Sequence, residues 1–362
     1  MRVCYISHSL SHFTRPYVEY FTGRGDEVHL ISLTRQDLPG AVNHHPLDND
    51  FDPMEAKGPY LWAAARVRKI IRQIHPDIVH AHYLSSNGLM AALSGFHPLV
   101  VSARGTDVYS AMPRRMKRWM VRFVMGRAEL VNVVSGDLRR CVLSLGVDAG
   151  KVLQLTQGVK AERFAVDRRE RREGPPRVVC TRKHLPVYRC DQTVTALAAI
   201  AGRGLSFEMT FAATGPLESQ LRRQVEACGL SERVRFLGGY EQDQLPAILA
   251  DADVYVSASR WDGTSPALLE AMASGIVPVV SDIAGNREWL DAASGDLLFD
   301  HESIEAQVEC LLKAFEIAQD AGARVTVMER NRQRVMERGD WTTNMRTLAG
   351  HYERLIGSSA TS

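Results

Sequence analysis

Short apolar segments rich in β-branched residues alternate with helix-period segments along most of the chain, and this alternation limits the folds open to it. Such segments are typical of strands buried on both faces of a sheet. Their alternation with helices predicts βαβ units and parallel sheets. The predicted strands are 2–7, 27–33, 77–82, 98–103, 129–135 and 151–156 in the first half, and 178–182, 207–213, 233–237, 253–258, 276–281 and 296–299 in the second.

The alternation is interrupted once, in residues 165–177. This segment, AVDRRERREGPPR, is dense in charge, lacks apolar periodicity and ends in Gly-Pro-Pro, which indicates an exposed linker. We therefore expect two doubly wound α/β domains, 1–164 and 178–340, on either side of a cleft. In such sheets ligands bind beyond the carboxyl ends of the strands, at loops that lead into helix N-termini.

The net charge of the chain is small but unevenly distributed. The 44 Lys and Arg side chains exceed the 42 Asp and Glu side chains by two, whereas a nucleic-acid-binding protein usually has a larger, clustered excess. Residues 1–164 contain 21 basic and 14 acidic side chains, and the rest of the chain contains 23 and 28. We therefore expect a basic first domain, an acidic second domain and no nucleic-acid partner.

Cysteine usage and hydropathy bear on the compartment. The six cysteines form no CxxC pair and no metal-ligand spacing, a pattern typical of a reduced cytosolic protein without bound metal. The first residues, MRVCYISHS, are interpreted as a strand rather than as a signal peptide. No segment approaches the roughly 18 apolar residues that a membrane-spanning helix needs. The expected location is the cytoplasm, extending at most to a membrane surface.

The segment most informative about chemistry is 259–290, SRWDGTSPALLEAMASGIVPVVSDIAGNREWL. A strand runs into a loop there, and a helix follows with Ser265 as its predicted N-cap and Pro266 as its first residue. Gly263 lets the backbone approach a ligand closely. The free N–H groups of 264–268 and the helix dipole then form an anion site suited to a diphosphate.

Two acids, Asp262 and Glu270, flank this anion site. A carboxylate beside a bound anion is costly unless it accepts hydrogen bonds, and sugar or ribose hydroxyls supply such donors. The alternative is that the two acids only cap and solvate the helix, as isolated acids at this spacing usually do.

The same segment resembles the Glu-x7-Glu signature of the retaining GT-B glycosyltransferases of family 4, the glycosyl group 1 transferases. Asp262 corresponds to the first acid and Glu270 to the second, and AMASGIVPVVSD resembles the sequence that follows in the family. Likenesses of lower specificity lie in 75–93, 130–164, 212–221 and 233–259. The resemblance implies two Rossmann-like domains facing a central cleft, with a C-terminal helix within 341–362 packing back on the first domain.

The resemblance assigns donor binding and catalysis to the second domain. It implies that Asp262 contacts the transferred sugar, that Glu270 holds the ribose and that Arg182 binds the donor diphosphate. Asp in place of Glu shortens the reach toward the sugar by one methylene. The loop and helix residues implied in donor binding are Gly215, Gly263, Thr264, Ser265, Pro266, Ala267 and Leu268.

The diphosphate site departs from the family pattern at one position. The family usually has an Arg and a Lys five or six residues apart, but TRKHLPVYRCD (181–191) has Tyr188 where the Lys is expected. Lys183 or Arg189 is then the candidate for the second cation.

The acceptor side departs further from the family. SARGTDV (102–108) has Arg104 where the family often has His, and SHSLSHFTR (7–15) replaces a glycine-rich loop. The candidate acceptor contacts are His12, His82, Arg104 and Asp107. In the alternative interpretation the histidines are ordinary hydrogen-bonding groups and Arg104 pairs with Asp107 for structural reasons alone.

Residues 113–126, PRRMKRWMVRFVMG, interleave basic residues with Met, Trp, Phe and Val. A helix of this composition suits an anionic membrane interface, although a helix packed on its own sheet with a solvated basic face has the same pattern.

The function expected from the resemblance is retaining, metal-independent sugar transfer from a UDP- or GDP-sugar to a glycan, lipid-linked or small-molecule acceptor, without another cofactor. A non-catalytic binding protein on the same fold and a GT-B sugar phosphorylase or epimerase are the alternatives. A dinucleotide-dependent dehydrogenase is disfavoured because no GxGxxG follows the first strand.

Overall fold

A computed structural model describes residues 1–7, 14–33, 42–47, 58–166 and 173–359 of the chain. The chain divides into two compact units. Unit 1 consists of Met1–Gln157 and Thr342–Ser362, and unit 2 consists of Gly158–Trp341. Each unit is built around one parallel β-sheet.

Unit 1 contains a seven-stranded sheet in the order β3-β2-β1-β4-β5-β6-β7, and all of its neighbouring strands are parallel. The strands are β1 (Arg2–Ile6), β2 (Glu27–Ser32), β3 (Val42–Pro46), β4 (Ile78–His82), β5 (Leu99–Ala103), β6 (Leu130–Val133) and β7 (Val152–Gln154). The strand order reverses between β1 and β4, and such switch points open a crevice at the carboxyl ends of the strands.

The helices of unit 1 alternate with these strands along the chain. They are α1 (Arg15–Gly23), α2 (Gly58–Ile74), α3 (Asn87–Ser94), α4 (Thr106–Tyr109), α5 (Arg115–Arg127) and α6 (Gly136–Ser144), with a 3-10 turn at Ala149–Lys151. α3 packs against both α2 and α5, and Val121, Val124 and Met125 of α5 are buried in the core.

Unit 2 contains a six-stranded parallel sheet in the order β10-β9-β8-β11-β12-β13. Its strands are β8 (Arg177–Cys180), β9 (Glu208–Phe211), β10 (Val234–Phe236), β11 (Val254–Ser257), β12 (Val277–Ser281) and β13 (Leu297–Phe299). Here the order reverses between β8 and β11, which makes the carboxyl ends of these two strands the expected edge for a ligand.

Separate apolar clusters pack on the two faces of the unit 2 sheet. The helices are α7 (Cys190–Gly202), α8 (Glu218–Ala227), α9 (Leu245–Ala250), α10 (Pro266–Ser274), α11 (Ala284–Arg287), α12 (Ile304–Gln319) and α13 (Ala321–Arg338), with 3-10 turns at Ala161–Phe164, Pro186–Tyr188 and Ala292–Ser294.

The last helix, α14 (Trp341–Ser359), starts in unit 2 and from Thr342 onward belongs to unit 1. Tyr352 of this helix stacks on Phe21 with ring centroids 5.2 Å apart. Its hydroxyl also lies within hydrogen-bonding distance of Nδ1 of the buried His80. Both a stacked ring pair and a buried hydrogen bond therefore connect the helix to the sheet of unit 1.

All twelve predicted strands are present, and β3 is a further strand that was not predicted. Its sequence, VNHHP, contains no apolar run because β3 is a half-exposed edge strand, which among the described strands pairs with β2 alone. Polar side chains pair across the two strands: His44 Nε2 lies 2.7 Å from Ser32 Oγ, and His45 Nε2 lies 3.0 Å from His29 Nδ1.

The unit boundaries differ from those predicted. Unit 1 ends at Gln157 rather than at residue 164, because the turn Ala161–Phe164 is buried in the apolar cluster of α9 and α10 in unit 2. Residues 167–172, the middle of the predicted linker 165–177, lie outside the described residues. Within the part of the chain that the structure describes, no helix is both long enough and apolar enough to cross a bilayer.

Candidate functional site

The loops at the carboxyl edge of the unit 2 sheet bring the predicted donor-site residues together. β8 leads into the loop that carries Arg182, and β11 leads into the loop that carries Asp262. Because β8 and β11 are adjacent and parallel, both loops leave the sheet at the same edge. Residues 80 positions apart in sequence therefore meet at the switch point of the strand order.

Arg182 lies at the centre of this site and is 7% exposed. Its Nη2 donates a hydrogen bond to Asp262 Oδ2 over 2.6 Å, and its Nη1 donates one to Ser265 Oγ over 2.7 Å. Burial has the largest single effect and lowers the pKa of Arg182, but Asp262 and the weaker contributions of Tyr255, Tyr188 and Cys180 together hold that pKa above its ordinary value. The guanidinium therefore stays charged, as the binding of a diphosphate requires.

The helix that follows Asp262 begins as the sequence predicts. Ser265 is the N-cap of α10, its Oγ accepts a hydrogen bond from the Leu268 N–H over 3.4 Å, and Pro266 is the first helical residue. The same Oγ accepts the bond from Arg182, so one hydroxyl joins the cation to the positive end of the helix dipole.

Glu270 lies in the second turn of α10 and is half-buried. Gln242 Nε2 donates a hydrogen bond to Glu270 Oε1 over 3.1 Å. Burial raises the pKa of Glu270 to about 7, against the opposing effects of the Gln242 bond and the charges of Arg182 and Arg163. Burial also raises the pKa of the neighbouring Tyr240 to about 12, and the charge of Glu270 adds to that shift.

Gly215 allows two loops of the site to touch. A Cβ on this glycine would lie 2.6 to 2.8 Å from the backbone of His184. The contact is held by hydrogen bonds from the His184 N–H to the Thr214 carbonyl and from the Leu217 N–H to the His184 carbonyl. Gly215 therefore allows the close backbone approach beside the Arg182 loop, and its contact with a donor stays a prediction.

Gly285 is a site residue that the sequence analysis did not identify. A Cβ at this position would lie 1.8 Å from the Gly263 carbonyl oxygen and 2.5 Å from that of Asp262. The turn after β12 therefore packs backbone to backbone against the loop that carries the catalytic candidate Asp262. The glycine in DIAGNREWL was visible as a turn signal, but only the tertiary contact shows what it supports.

Of the two candidates for a second cation, Arg189 is paired with groups outside the Arg182 contact. Arg189 Nη1 donates a hydrogen bond to the His301 carbonyl over 2.6 Å and forms an ion pair with Glu302 at 3.1 Å. Lys183 is exposed. The group that contacts the Arg182 guanidinium is instead Tyr188, whose ring centroid lies 3.9 Å from Cζ.

Three of the predicted acceptor-side residues lie near the carboxyl edge of the unit 1 sheet, and the fourth, His12, lies outside the described residues. His82, at the end of β4, is fully buried, and its Nδ1 lies 3.0 Å from Thr14 Oγ1. Burial lowers the pKa of His82 well below its ordinary value, and the charge of Arg104 acts in the same direction. His82 is therefore a neutral side chain inside the unit.

Arg104 and Asp107 lie close together, but their side chains contact different groups. The Arg104 guanidinium lies over the ring of Tyr17, with Cζ 5.2 Å from its centroid. The buried carboxylate of Asp107 accepts hydrogen bonds from backbone N–H groups. Its donors are Leu84, Arg104, Gly105 and Val108, at 2.8 to 3.1 Å. Asp107 thus organises the turn that leads into α4.

Helix α5, which covers most of the predicted interfacial segment 113–126, has an exposed apolar and basic face. Trp119 is 68% exposed and Met116 is 60% exposed, and the Trp119 ring stacks on Phe123. Arg115 and Arg122 are exposed as well. Among the described residues, no cluster of three or more His, Cys, Asp or Glu side chains is arranged to hold a metal ion.

Comparison with solved structures identifies the fold class. A glycosyltransferase from Rickettsia africae ESF-5 matches this chain with a TM-score of 0.81, over 98% of each chain and at 14% sequence identity. The two parallel-sheet units thus form a GT-B fold, as the sequence resemblance implied.

Family models then identify the family. The model described as Glycosyl transferase 4-like matches residues 2–135, and the model described as Glycosyl transferases group 1 matches residues 163–332. The chain belongs to the group 1, or family 4, glycosyltransferases and is a transferase.

Two curated relatives are similar over about two thirds of the chain or more. A GDP-mannose-dependent alpha-(1-6)-phosphatidylinositol monomannoside mannosyltransferase of Mycobacterium tuberculosis is 27% identical over 275 residues, which cover 72% of this chain and 70% of the relative. A UDP-Gal:alpha-D-GlcNAc-diphosphoundecaprenol alpha-1,3-galactosyltransferase of Escherichia coli is 26% identical over 269 residues, 68% of each protein.

A first prediction concerns the backbone contact at Gly285. We expect Gly285→Ala to displace the Asp262–Gly263 loop, because the added methyl would overlap the Gly263 carbonyl oxygen. Sugar-transfer activity should fall at least about tenfold and the melting temperature should fall by several degrees, as overpacking of about 1 to 3 kcal/mol implies. Gly202→Ala, at the end of α7 with nothing within 4 Å, is the matched control. Full activity in Gly285→Ala would contradict this role.

A second prediction follows from the raised pKa of Glu270, about 7 against an ordinary 4.5. Glu270 ionises at lower pH in the unfolded chain than in the folded protein, so its ionisation favours unfolding. This destabilisation is absent below about pH 4.5 and reaches at most about 3 kcal/mol above about pH 7. Glu270→Gln should therefore be more stable than the wild type at about pH 8.5, with little difference at about pH 4.5.

Urea unfolding of the two proteins at both pH values measures this effect. Glu329→Gln, which changes an exposed acid in the middle of α13 in the same unit, is the control and should change the free energy of unfolding little at either pH value. A stability difference between Glu270→Gln and the wild type that does not change with pH would refute the assignment.

Proposed function

We propose that this protein transfers a sugar, with retention of anomeric configuration and without a metal ion, from a nucleotide diphosphate sugar to an acceptor hydroxyl in glycolipid or polysaccharide biosynthesis. The observation that carries the proposal is the convergence of the buried Arg182 guanidinium, the Asp262 carboxylate and the N-terminus of α10 at the switch point of unit 2. The guanidinium and the helix N-terminus both provide positive potential for a diphosphate, and the Asp262 carboxylate can accept hydrogen bonds from sugar hydroxyl groups.

The electrostatics of the site suit a diphosphate leaving group. Arg182 is held by two hydrogen bonds, so its position is set before any charge develops on the ligand. As the bond between sugar and phosphate breaks, negative charge grows on the departing diphosphate, and a preorganised cation and helix dipole stabilise it without reorganisation. The leaving phosphate itself then assists deprotonation of the acceptor hydroxyl on the same face of the sugar.

Asp262 and Glu270 take the hydroxyl-binding roles in this proposal. A bound diphosphate competes with Asp262 for Arg182 and leaves the Asp262 carboxylate to accept hydrogen bonds from the sugar hydroxyls. Glu270, oriented by Gln242, accepts hydrogen bonds from the ribose. Since ionised carboxylates are the stronger acceptors, donor affinity should increase as Glu270 loses its proton near pH 7.

The relatives indicate the classes of donor and acceptor. The Mycobacterium tuberculosis relative is named for GDP-mannose and a phosphatidylinositol mannoside, and the Escherichia coli relative is named for UDP-galactose and a diphosphoundecaprenol-linked sugar. We therefore propose a UDP- or GDP-sugar as the donor. The acceptor is proposed to be a glycan or a lipid-linked or small saccharide bound by unit 1, with Arg104 as the acceptor-side cation.

The proposal predicts a separation of binding from turnover in Asp262→Asn. Isothermal titration with UDP and GDP, followed by hydrolysis and transfer assays with a panel of UDP- and GDP-sugars, should find one nucleotide class that binds and turns over. Asp262→Asn should bind that nucleoside diphosphate within a few-fold of the wild type but lose about 10² in turnover, because it removes a charged contact made at the reacting sugar.

Asp251→Asn is the matched control, since it makes the same change in an ion pair with Arg177, a residue at the opposite end of the unit 2 sheet. Binding without hydrolysis or transfer of any donor would favour a non-catalytic binding protein. Absence of binding to every nucleotide would overturn the proposal. Proton NMR of the product's anomeric centre decides between retention and inversion.

We further propose that α5 holds the enzyme peripherally on an anionic membrane, at its cytoplasmic face. The exposed Trp119 and Met116 would enter the interface, and the exposed Arg115 and Arg122 would meet lipid headgroups. The buried face of the same helix, with Val121 and Val124, keeps it packed on unit 1. A lipid-linked acceptor then reaches the enzyme by diffusion in two dimensions.

Sedimentation with vesicles tests the membrane proposal. The protein should sediment with phosphatidylglycerol vesicles at low salt but not with phosphatidylcholine vesicles, and Trp119→Ala should weaken the partitioning by about tenfold. Met336→Ala, which removes an exposed apolar side chain of unit 2, is the control and should leave the partitioning unchanged. Failure of the wild type to sediment with the anionic vesicles would overturn the proposal.

A further inference from the structure

Tyr188 is the aromatic residue in direct contact with the Arg182 guanidinium. The ring centroid lies 3.9 Å from Arg182 Cζ, a separation at which a cation is attracted to the face of an aromatic ring. Arg182 is 7% exposed, so water screens this attraction little. The contact is therefore of the desolvated kind, in which such interactions are strongest.

The backbone fixes the position of Tyr188 independently of its side chain. Tyr188 closes the 3-10 turn Pro186–Tyr188, and its N–H donates to the Leu185 carbonyl over 3.0 Å. The Arg260 N–H donates to the Val187 carbonyl over 2.9 Å, which joins this turn to the loop that carries Asp262. The ring also packs against the apolar core of unit 2. The aromatic face is thus a rigid support rather than a mobile side chain.

Only some of the hydrogen-bond donors of the Arg182 guanidinium have partners among the described residues. Nη1 and Nη2 donate to Ser265 and Asp262, whereas Nε is buried and has no hydrogen-bond partner among the described residues. A planar guanidinium presents its N–H groups within one plane, so the ring beneath it fixes the direction in which the remaining donors point. At a predicted anion site, such a donor is available to a ligand atom that accepts a hydrogen bond from it.

We propose that Tyr188 is a positioning residue that orients Arg182 toward the donor diphosphate, in a site whose β8 loop uses one cation and an aromatic support instead of two cations. The inference rests on the proposed function and deepens it. Arg189 binds the His301 carbonyl and the Glu302 carboxylate, and the Tyr188 ring contacts the Arg182 guanidinium. Tyr188 supplies no charge to the ligand and acts only through Arg182.

The test compares Tyr188→Leu with Tyr188→Phe. The leucine removes the aromatic face, and the phenylalanine keeps it. Titration calorimetry should find that Tyr188→Leu binds UDP or GDP about tenfold more weakly than the wild type, whereas Tyr188→Phe stays within about twofold. With the matching nucleotide sugar, Tyr188→Leu should raise the donor KM more than it lowers kcat.

A second ligand distinguishes positioning from a general structural role. Binding of uridine or guanosine, which lack the diphosphate, should be the same in Tyr188→Leu and the wild type when measured by NMR titration. Phe207→Leu is the matched control, because it removes another aromatic ring that lies under a guanidinium. Phe207 directly precedes β9, and its ring centroid lies 5.6 Å from Arg233 Cζ. This substitution should lower the melting temperature without a selective loss of nucleoside diphosphate affinity.

Three outcomes overturn the inference. If Tyr188→Leu binds UDP and GDP as the wild type does, the inference is wrong and the proposed function stands. Equal losses for nucleoside and nucleoside diphosphate show a merely structural residue, which also leaves the proposed function intact. If the wild type binds no nucleotide at all, the proposed function and the inference fall together.

Discussion

The candidate site of this glycosyltransferase depends on the ion pair between the buried Arg182 and the partly exposed Asp262. Burial of a guanidinium is costly unless an opposite charge and further hydrogen bonds compensate for the lost hydration. Asp262 supplies the charge, Ser265 supplies a hydroxyl, and Tyr188 supplies an aromatic face. These three residues come from two loops and one helix N-terminus, so a single cation fixes the relative positions of all three elements.

Close contacts between backbone segments also support the positions of these loops. Gly215 and Gly285 each sit where a side chain would collide with a neighbouring loop, at His184 in one case and at Gly263 in the other. The loops at the carboxyl edge of the unit 2 sheet are thereby packed against one another without intervening side chains. Such packing keeps the carboxylate of Asp262 and the N-terminus of α10 in a defined position, as preorganised electrostatic catalysis requires.

The central strands were predictable because they are buried along their whole length and have largely apolar sequences, as in β4, β5, β11 and β12, whereas the half-exposed edge strand β3 lacked that signal. The sequence after residue 302 has a helical period throughout, and the structure divides it into helices at Asp320 and before Trp341. The carboxylate of Asp320 accepts the Ala323 N–H over 2.6 Å and so starts α13. An Asp at an N-cap is a signal that a sequence can show, but here helices with a similar apolar period lie on both sides of Asp320, so the boundary between them is not evident from the pattern.

The sequence by itself determined the fold class and the family, because hydrophobic periodicity and the segment from Asp262 to Glu270 are local properties. Tertiary structure decided which groups surround Arg182. In the folded chain, Arg189 binds the His301 carbonyl, the Tyr188 ring contacts the Arg182 guanidinium, and Gly285 packs against Gly263. Each of these contacts depends on the side-chain direction and loop path of residues distant in sequence. Local pattern does not encode such contacts, because they arise only when parallel strands bring their carboxyl ends to one edge.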